Sequence, residues 1–385
     1  MMEKYGAENK GESAKKKILI VTACDLSSGG VPVFLYNMLS NMELGEFCIH
    51  IYFPGKIVLQ QLADKFLDMG LVLYIGGCGT EEPVREIAYN DLAYLTNLYN
   101  YDVIHSNSGK VWINYYSCYF GIKNNIPVRI VHSHSALLPR KNPEIQRQDD
   151  IYREFIKENA VDFLACSAKA ATWLYGKGFT DYTIIKNGIN LEKYQFNEET
   201  RIKYRMELGI NNKFVIGHIG RFVEAKNHEF LLNIFKEIIK DNKDCVLLMA
   251  GGGELLENIK EKAKKMKIFG NCMFLGERMD VPELLQAMDV FVFPSLFEGL
   301  GIAVIEAQAS GLPCITSEEI PEEACIPGEV KRIPLTAPEV YWAKQVLKYR
   351  VINKVRKAKC IELKTEGYNV QDSARKLWKL YKGTP

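Results

Sequence analysis

Apolar residues in this chain come in short, nearly unbroken runs rich in β-branched side chains: KILIVTA, FCIHIYF, LVLYIG, DVIHSNS, VRIVHSHS, DFLACS and YTIIKNG. Segments long enough for a helix separate them, such as 31–39 and 151–159. Strands this continuous, alternating with helices, predict a parallel sheet covered on both faces. The rhythm breaks at 191–213 (LEKYQFNEETRIKYRMELGINNK), a charged and polar stretch expected to be a linker containing a short helix. It restarts with FVIGHIG, CVLLMAG, CMFLGE, DVFVFPS and CITS, interleaved with helical segments such as 228–240 and 281–287. The expected class is α/β, with two doubly wound halves.

Ligands of open parallel sheets sit beyond the carboxyl ends of the strands, so the gap between two such halves is the expected site. The domain limits read as a disordered tail at 1–14, a first domain at 15–195, a linker at 196–212, a second domain at 213–367 and a returning helix at 368–385. That last segment, VQDSARKLWKL at 370–380, is amphipathic with Ala374, Leu377 and Leu380 on one side, and is expected to pack back on the first domain.

Composition narrows the class. Of 385 residues, 47% are apolar and 25% charged, which suits a folded chain with sizeable cores. Lys plus Arg is 49 against 47 for Asp plus Glu, so net charge gives no reason to expect a nucleic-acid partner. The 10 cysteines include no C-x-x-C pair, and none lie closer together than Cys314 and Cys325. Neither zinc nor disulfide spacing is present, and reduced thiols in a cytoplasmic setting are expected. Lys15-Lys16-Lys17 before Ile18-Leu19-Ile20-Val21 superficially resembles a secretory signal, but the apolar stretch stops at Asp25 and the reading is a buried first strand. No run approaches the ~18 apolar residues of a membrane helix.

Several turns carry candidate chemistry. Ser27-Ser28-Gly29-Gly30 leads into a helix with Pro32 near its start. Such a turn either receives an oxyanion on helix N–H groups or is simply tight. Arg221 and Lys226 follow FVIGHIG in one loop; a guanidinium fork and an ammonium suit a diphosphate, the plain alternative being solvated charge. Gly251-Gly252-Gly253 closes the next strand and leaves room for a ring or ribose against the backbone. Neither it nor Gly299-Leu300-Gly301 completes G-x-G-x-x-G, so the dinucleotide fingerprint is missing. In PSLFEGLGIAVIEAQASGLP (294–313), Glu298 falls in the turn after a strand and Glu306 inside the helix that begins near Gly301. A phosphate at that helix start would have a carboxylate on either side, each able to accept from vicinal hydroxyls. Ile305, Ala307 and Ala309 predict a buried helix, in which Glu306 needs a partner.

With GRFVEAKN, SSGGV, KNGIN at 186–190, IVHSHS, LACSAKA, KNHEFL and DVPELLQAMDVFVFPSL, these motifs resemble the retaining glycosyltransferases of family 4 over residues 16–380, in particular the bacterial capsular and exopolysaccharide branch. The resemblance implies the GT-B fold: an acceptor-binding first domain and a donor-binding second domain facing across a cleft. It implies transfer of a sugar from a nucleotide donor, expected to be a uridine diphosphate sugar, to a glycan or polyprenyl-linked acceptor, without cofactor or metal. The absence of any D-x-D agrees with protein cations serving the diphosphate.

Residue by residue, the resemblance places Arg221 and Lys226 on the diphosphate, Glu306 on the ribose hydroxyls, and Glu298 with the amides of Gly299, Leu300 and Gly301 on the donor sugar. Gly29 and Gly30 fall near the diphosphate, His134 near the reacting sugar, Asn187 on the acceptor side, and Gly252 and Arg278 on the donor side, with backbone around Gly276-Glu277-Arg278 at the nucleobase. His132 is read as facing the other side of its strand, a packed core histidine. Many relatives carry Glu where this chain has Pro32, so that carboxylate's role is not carried over. Peripheral contact with the inner membrane face is expected, with Lys110, Lys123, Arg129, Arg140 and Lys141 as candidate headgroup contacts beside the plainer reading of solvated charge. Rival readings are a nucleotide-sugar epimerase, a phosphorylase-like enzyme and a non-catalytic sugar-nucleotide binding protein. Domain closure would make 191–213 a hinge.

Overall fold

The computed structural model describes residues 2–7, 15–27, 29–77, 84–134, 142–351 and 356–383. It divides into two units, Met1–Gly188 with Val370–Pro385, and Ile189–Asn369. Each is built on its own sheet, and every run predicted above to be a strand forms one.

The first sheet contains β1 (Glu3–Tyr5), β2 (Lys16–Thr22), β3 (Phe47–Phe53), β4 (Val72–Ile75), β5 (Val103–Asn107), β6 (Val128–Ser133), β7 (Asp162–Ala165) and β8 (Thr183–Ile184), in the order β1-β4-β3-β2-β5-β6-β7-β8. All pairs are parallel except β1 with β4. Ile18, Leu19, Ile20 and Val21 of β2 are fully buried, as expected of a central strand with helices on both faces. Glu3–Tyr5 corrects the expectation of a disordered tail, because these residues supply hydrogen-bond partners to the open edge of β4. The remainder of that tail, residues 8–14, lies outside the described residues.

The Val370–Lys382 helix belongs to this first unit and packs on the Gly30–Leu39 helix. Its buried stripe runs through Val370, Ala374, Leu377 and Tyr381, at the spacing a helix needs to keep one face inward. Tyr381, not Leu380, therefore completes the stripe. Its hydroxyl meets His105 Nδ1 at 2.7 Å, and Lys382 pairs with Glu46 at 2.6 Å.

The second sheet contains β9 (Phe214–Ile219), β10 (Cys245–Ala250), β11 (Cys272–Phe274), β12 (Val290–Phe293), β13 (Cys314–Ser317) and β14 (Val330–Ile333). Its order is β11-β10-β9-β12-β13-β14, parallel throughout. This is the Rossmann order, and the chain reverses its winding between β9 and β12. The parallel strands β2 to β7 of the first unit repeat the same order, with the reversal between β2 and β5.

The expected linker is not a linker. Residues 191–213 form the helices Leu191–Tyr194 and Glu198–Glu207, and both pack on the Val281–Ala287 helix of the second unit. Arg201 donates to the carbonyls of Gln286 and Met288 at 2.9 and 2.8 Å, and Arg205 to that of Ala287 at 2.8 Å. Carbonyls at a helix C-terminus lack intrahelical donors and carry negative partial charge, so two guanidinium groups are well placed there. Both arginines also pair with Asp289, which accepts from the Val215 amide at 2.7 Å. The arginines of this stretch are ligands for backbone, and the segment is part of the second unit.

Asp289→Ala should leave two largely buried guanidinium groups without their counter-ion and destabilise the second unit by about 3 kcal/mol. Urea unfolding monitored on that unit checks this; a change within ~0.5 kcal/mol would be the signature of a solvated surface residue.

Candidate active site

The reversal between β9 and β12 puts two loops side by side beyond their carboxyl ends. One follows β9 and carries Gly220, Arg221 and a 3₁₀ turn, Glu224–Lys226. The other follows β12 and carries Glu298 through Gly301 into the Ile302–Ala309 helix. The loops meet in one ion pair, Lys226 Nζ with Glu298 Oε1, whose side chains are only 18% and 12% exposed. The ammonium also lies 4.8 Å from the centroid of the Phe293 ring, a favourable placement for a partly desolvated cation. Arg221 leaves the same loop but stays 39% exposed, 4.0 Å from Glu254.

Two histidines lie beneath Lys226. His218 on β9 places Nδ1 2.9 Å from the Val292 carbonyl, while its Nε2 and both ring nitrogens of His228 are buried without a partner among the described residues. Burial pushes His218 down to about 4, against the pull of the Val292 carbonyl and with help from the Lys226 ammonium. It pushes His228 down to about 2, with His218 and Lys226 adding to the effect. Both rings are neutral at physiological pH, so the cation at this point is Lys226. Neither histidine was singled out from the sequence, where nothing local distinguishes them from core residues.

Gly251, Gly252 and Gly253 bring the strand-end loops close together. Gly251 and Gly253 adopt φ of 144° and 141°, and a Cβ on Gly251 would stand 2.1 Å from the Gly220 carbonyl oxygen. Backbone bonds run from Phe222 N to Gly252 O and from Gly251 N to Gly276 O, at 2.7 and 2.8 Å. The glycines thus let neighbouring strand-end loops pack backbone to backbone. A Cβ on Gly252 itself would meet Glu277 Oε1 at 2.7 Å. Arg278 forks onto Asp280, which also accepts from the Tyr204 hydroxyl at 3.0 Å. That pairing raises Arg278 and holds Asp280 below the usual carboxylate range.

Gly301 caps the Ile302–Ala309 helix in the left-handed region, φ 88°, where a side chain is disfavoured. The next residues, Ala303 to Ala309, are all buried. Glu306 among them is 6% exposed and accepts a 2.7 Å hydrogen bond from the Tyr194 hydroxyl. Burial pushes its carboxyl up to about 7, with the tyrosine working in the opposite direction. The partner anticipated for Glu306 exists, yet it comes from the stretch read as a linker.

In the first unit the strand ends gather Gly29, Gly30, Asn107 and His134. Gly29 caps the Gly30–Leu39 helix, its amide 3.2 Å from Ser27 Oγ, and Ser28 lies outside the described residues. One turn along, the Phe34 ring lies 4.6 Å from His134 and 5.3 Å from His132. His132 therefore does not face away: residues two apart on a strand share a face, and the two imidazole centroids are 4.0 Å apart. His134 Nε2 meets Asn107 Oδ1 at 3.0 Å, and the Asn107 amide nitrogen donates to the His105 carbonyl at 3.2 Å. That fixes the amide so that its oxygen accepts from Nε2–H, leaving His134 Nδ1 a buried lone pair with no partner among the described residues. Burial pushes His134 down to about 3. Asn187 is buried, its Oδ1 unpartnered among the described residues. Of the candidate headgroup contacts, Arg129 donates to the carbonyls of Asn159 and Ile126, both at 2.7 Å, and serves the fold instead. Lys110 and Lys123 lie over aromatic rings, and Arg140 and Lys141 are outside the described residues. Among the described residues no helix is long and apolar enough to cross a membrane.

The family model for glycosyl transferases group 1 matches residues 200–329, which holds Arg221, Lys226, Glu298 and Glu306. EpsF of Bacillus subtilis (strain 168), described as a glycosyltransferase, is 33% identical over 263 residues, 66% of this chain and 68% of that protein. The chain belongs to the group 1 glycosyl transferases. An Escherichia coli relative of this glycosyltransferase, the UDP-Gal:alpha-D-GlcNAc-diphosphoundecaprenol alpha-1,3-galactosyltransferase, is 38% identical over 139 residues, covering 35% of this chain and 36% of that one. The crystal structure of HepE from Anabaena in complex with UDP-glucose superposes with a TM-score of 0.70 over 95% of each chain, at 16% identity. At that identity the likeness concerns the fold alone: this glycosyltransferase has the two Rossmann-like domains of the GT-B architecture.

The glycine geometry separates two substitutions. Gly251→Ala should cost this glycosyltransferase more than 2 kcal/mol of stability, since it combines a forbidden φ with a backbone clash. Gly30→Ala, where a Cβ meets nothing within 4 Å, should stay within about 1 kcal/mol of the parent. Thermal unfolding of the two variants side by side provides the comparison.

Proposed function

We propose that this glycosyltransferase is a retaining, metal-independent enzyme of family 4 that moves a sugar from a UDP-sugar to a glycan or polyprenyl-linked acceptor in capsular or exopolysaccharide assembly. The observation that carries the reading is the largely buried Lys226–Glu298 pair at the β9/β12 reversal, with Glu306 in the adjoining helix. Support for uridine comes from HepE, crystallised with UDP-glucose, and from the E. coli relative, whose name specifies UDP-Gal and an undecaprenol diphosphate acceptor.

In this reading the leaving diphosphate meets the Lys226 ammonium and the Arg221 guanidinium. Charge builds up on that group as the glycosidic bond breaks, and a cation held ready in a poorly hydrated position stabilises it without reorganisation. Glu298 keeps Lys226 in place and offers its other oxygen to sugar hydroxyls beside Gly299, Leu300 and Gly301. Glu306 receives the ribose hydroxyls. Gly252 and Arg278 line the donor side. On the first unit, the Gly29–Gly30 turn serves the diphosphate, Asn187 the acceptor, and the His134 Nδ1 lone pair accepts from a sugar hydroxyl. The acceptor hydroxyl attacks the face that the diphosphate vacates and passes its proton to the departing phosphate oxygen, so no enzyme nucleophile is required. Cytoplasmic operation with peripheral contact at the inner membrane face fits a polyprenyl-linked acceptor.

The test is UDP release from a panel of UDP-sugars with a polyprenyl-diphosphate-linked sugar as acceptor, with product mass and anomeric configuration read by NMR. Lys226→Met keeps the stem over Phe293 and removes the charge. It should lower kcat by about 10²-fold or more while leaving the near-ultraviolet circular dichroism unchanged. Chelation with EDTA should leave the parent rate intact. Transfer by Lys226→Met within threefold of the parent, or inversion at the anomeric carbon, would contradict the proposal.

A further inference from the structure

Tyr194 enters the second unit five residues after its first, Ile189, on a helix of four residues capped by Asn190. It is buried. On one side Gln286 Nε2 approaches the Tyr194 carbonyl at 3.4 Å; on the other the hydroxyl reaches Glu306 Oε1 at 2.7 Å. An ionised carboxylate offers about four acceptor positions. The tyrosine occupies one of them, which leaves enough for a vicinal diol while removing the carboxylate's freedom to rotate.

We propose that Tyr194 is a positioning residue for nucleotide-donor binding, its hydroxyl orienting the Glu306 carboxylate to receive the ribose diol. This inference rests on the assignment of Glu306 to the ribose in the proposed function. Burial first, then the adjacent carboxylate, hold the Tyr194 hydroxyl protonated far above its ordinary range, so towards the ionised Glu306 carboxylate it is the donor. A donor to the carboxylate favours the charged form, which is the form that accepts both ribose hydroxyls. Burial alone would keep Glu306 protonated, and a protonated carboxyl spends one oxygen as a donor.

Glu283 acts on Tyr194 from the Val281–Ala287 helix. Of the elements packed on the Glu306 helix, β12 brings no titratable side chain, while β13 and the Cys360–Thr365 helix bring Cys314 and Cys360, both pushed upward by burial and neutral. The remaining charged groups on those elements, Glu192, Lys193, Glu322, Glu323, Glu362 and Lys364, are exposed.

The experiment is calorimetric titration of the full chain with UDP-glucose between pH 5.5 and 8.5, a range in which the diphosphate diester keeps its charge. Three proteins are compared: the parent, Tyr194→Phe, which preserves the ring, and Glu306→Gln. Affinity in the parent should fall as pH drops through about 7, where Glu306 takes up its proton. In Tyr194→Phe the same limb should move up by about one pH unit, weakening binding about fivefold at pH 7, and the two affinities should converge at pH 8.5. A Tyr194→Phe limb coincident with the parent's, or a loss of equal size at every pH, would overturn the positioning role and leave Tyr194 as packing. Parent-like binding by Glu306→Gln would instead overturn the ribose assignment on which the inference stands.

Discussion

Everything proposed for this protein depends on one ammonium group kept at the place where two parallel strands part company. Lys226 is four-fifths buried, and a cation so placed needs a counter-charge and a soft surface. Glu298 supplies the first and the Phe293 ring the second. The histidines below are neutral and so offer Lys226 no rival positive charge at neutral pH. The pair is consequently held in position before any ligand arrives, which is the condition under which electrostatic stabilisation of a leaving group is most effective.

The surroundings are built to keep that position. Loops beyond β9, β10 and β11 are stitched backbone to backbone, which only glycine at 251 and 253 permits. Three arginines, Arg201, Arg205 and Arg356, gather on the carbonyls that end the Val281–Ala287 helix, immediately before β12 begins. The strand that delivers Glu298 thus starts from a fixed base. Glu306 is fixed separately, through a tyrosine 112 positions away in the sequence.

The layout of both sheets was legible because buried parallel strands advertise themselves as β-branched runs. β1 and β14 were missed because Glu-Lys-Tyr and Val-Lys-Arg-Ile are short, polar edge strands, and an edge does not need an apolar run. The charged stretch at 191–213 was misjudged for a physical reason: sequence shows a charge but not what it pairs with, and these arginines pair with carbonyls some 80 positions distant. His132 was misplaced by a slip in strand periodicity that the Phe34 contact exposes. The candidate carboxylates were visible from their place at a strand end and a helix start. Tyr194, Asp280 and the two buried histidines were not, since each gains meaning only from a neighbour brought in by the fold.

The most direct measurement is a crystal structure of the full chain grown with UDP. The account predicts a diphosphate oxygen about 3 Å from Lys226 Nζ and both ribose hydroxyls on the Glu306 carboxylate. UDP bound elsewhere, with Lys226 still engaged by Glu298 alone and no ribose contact at Glu306, would contradict it.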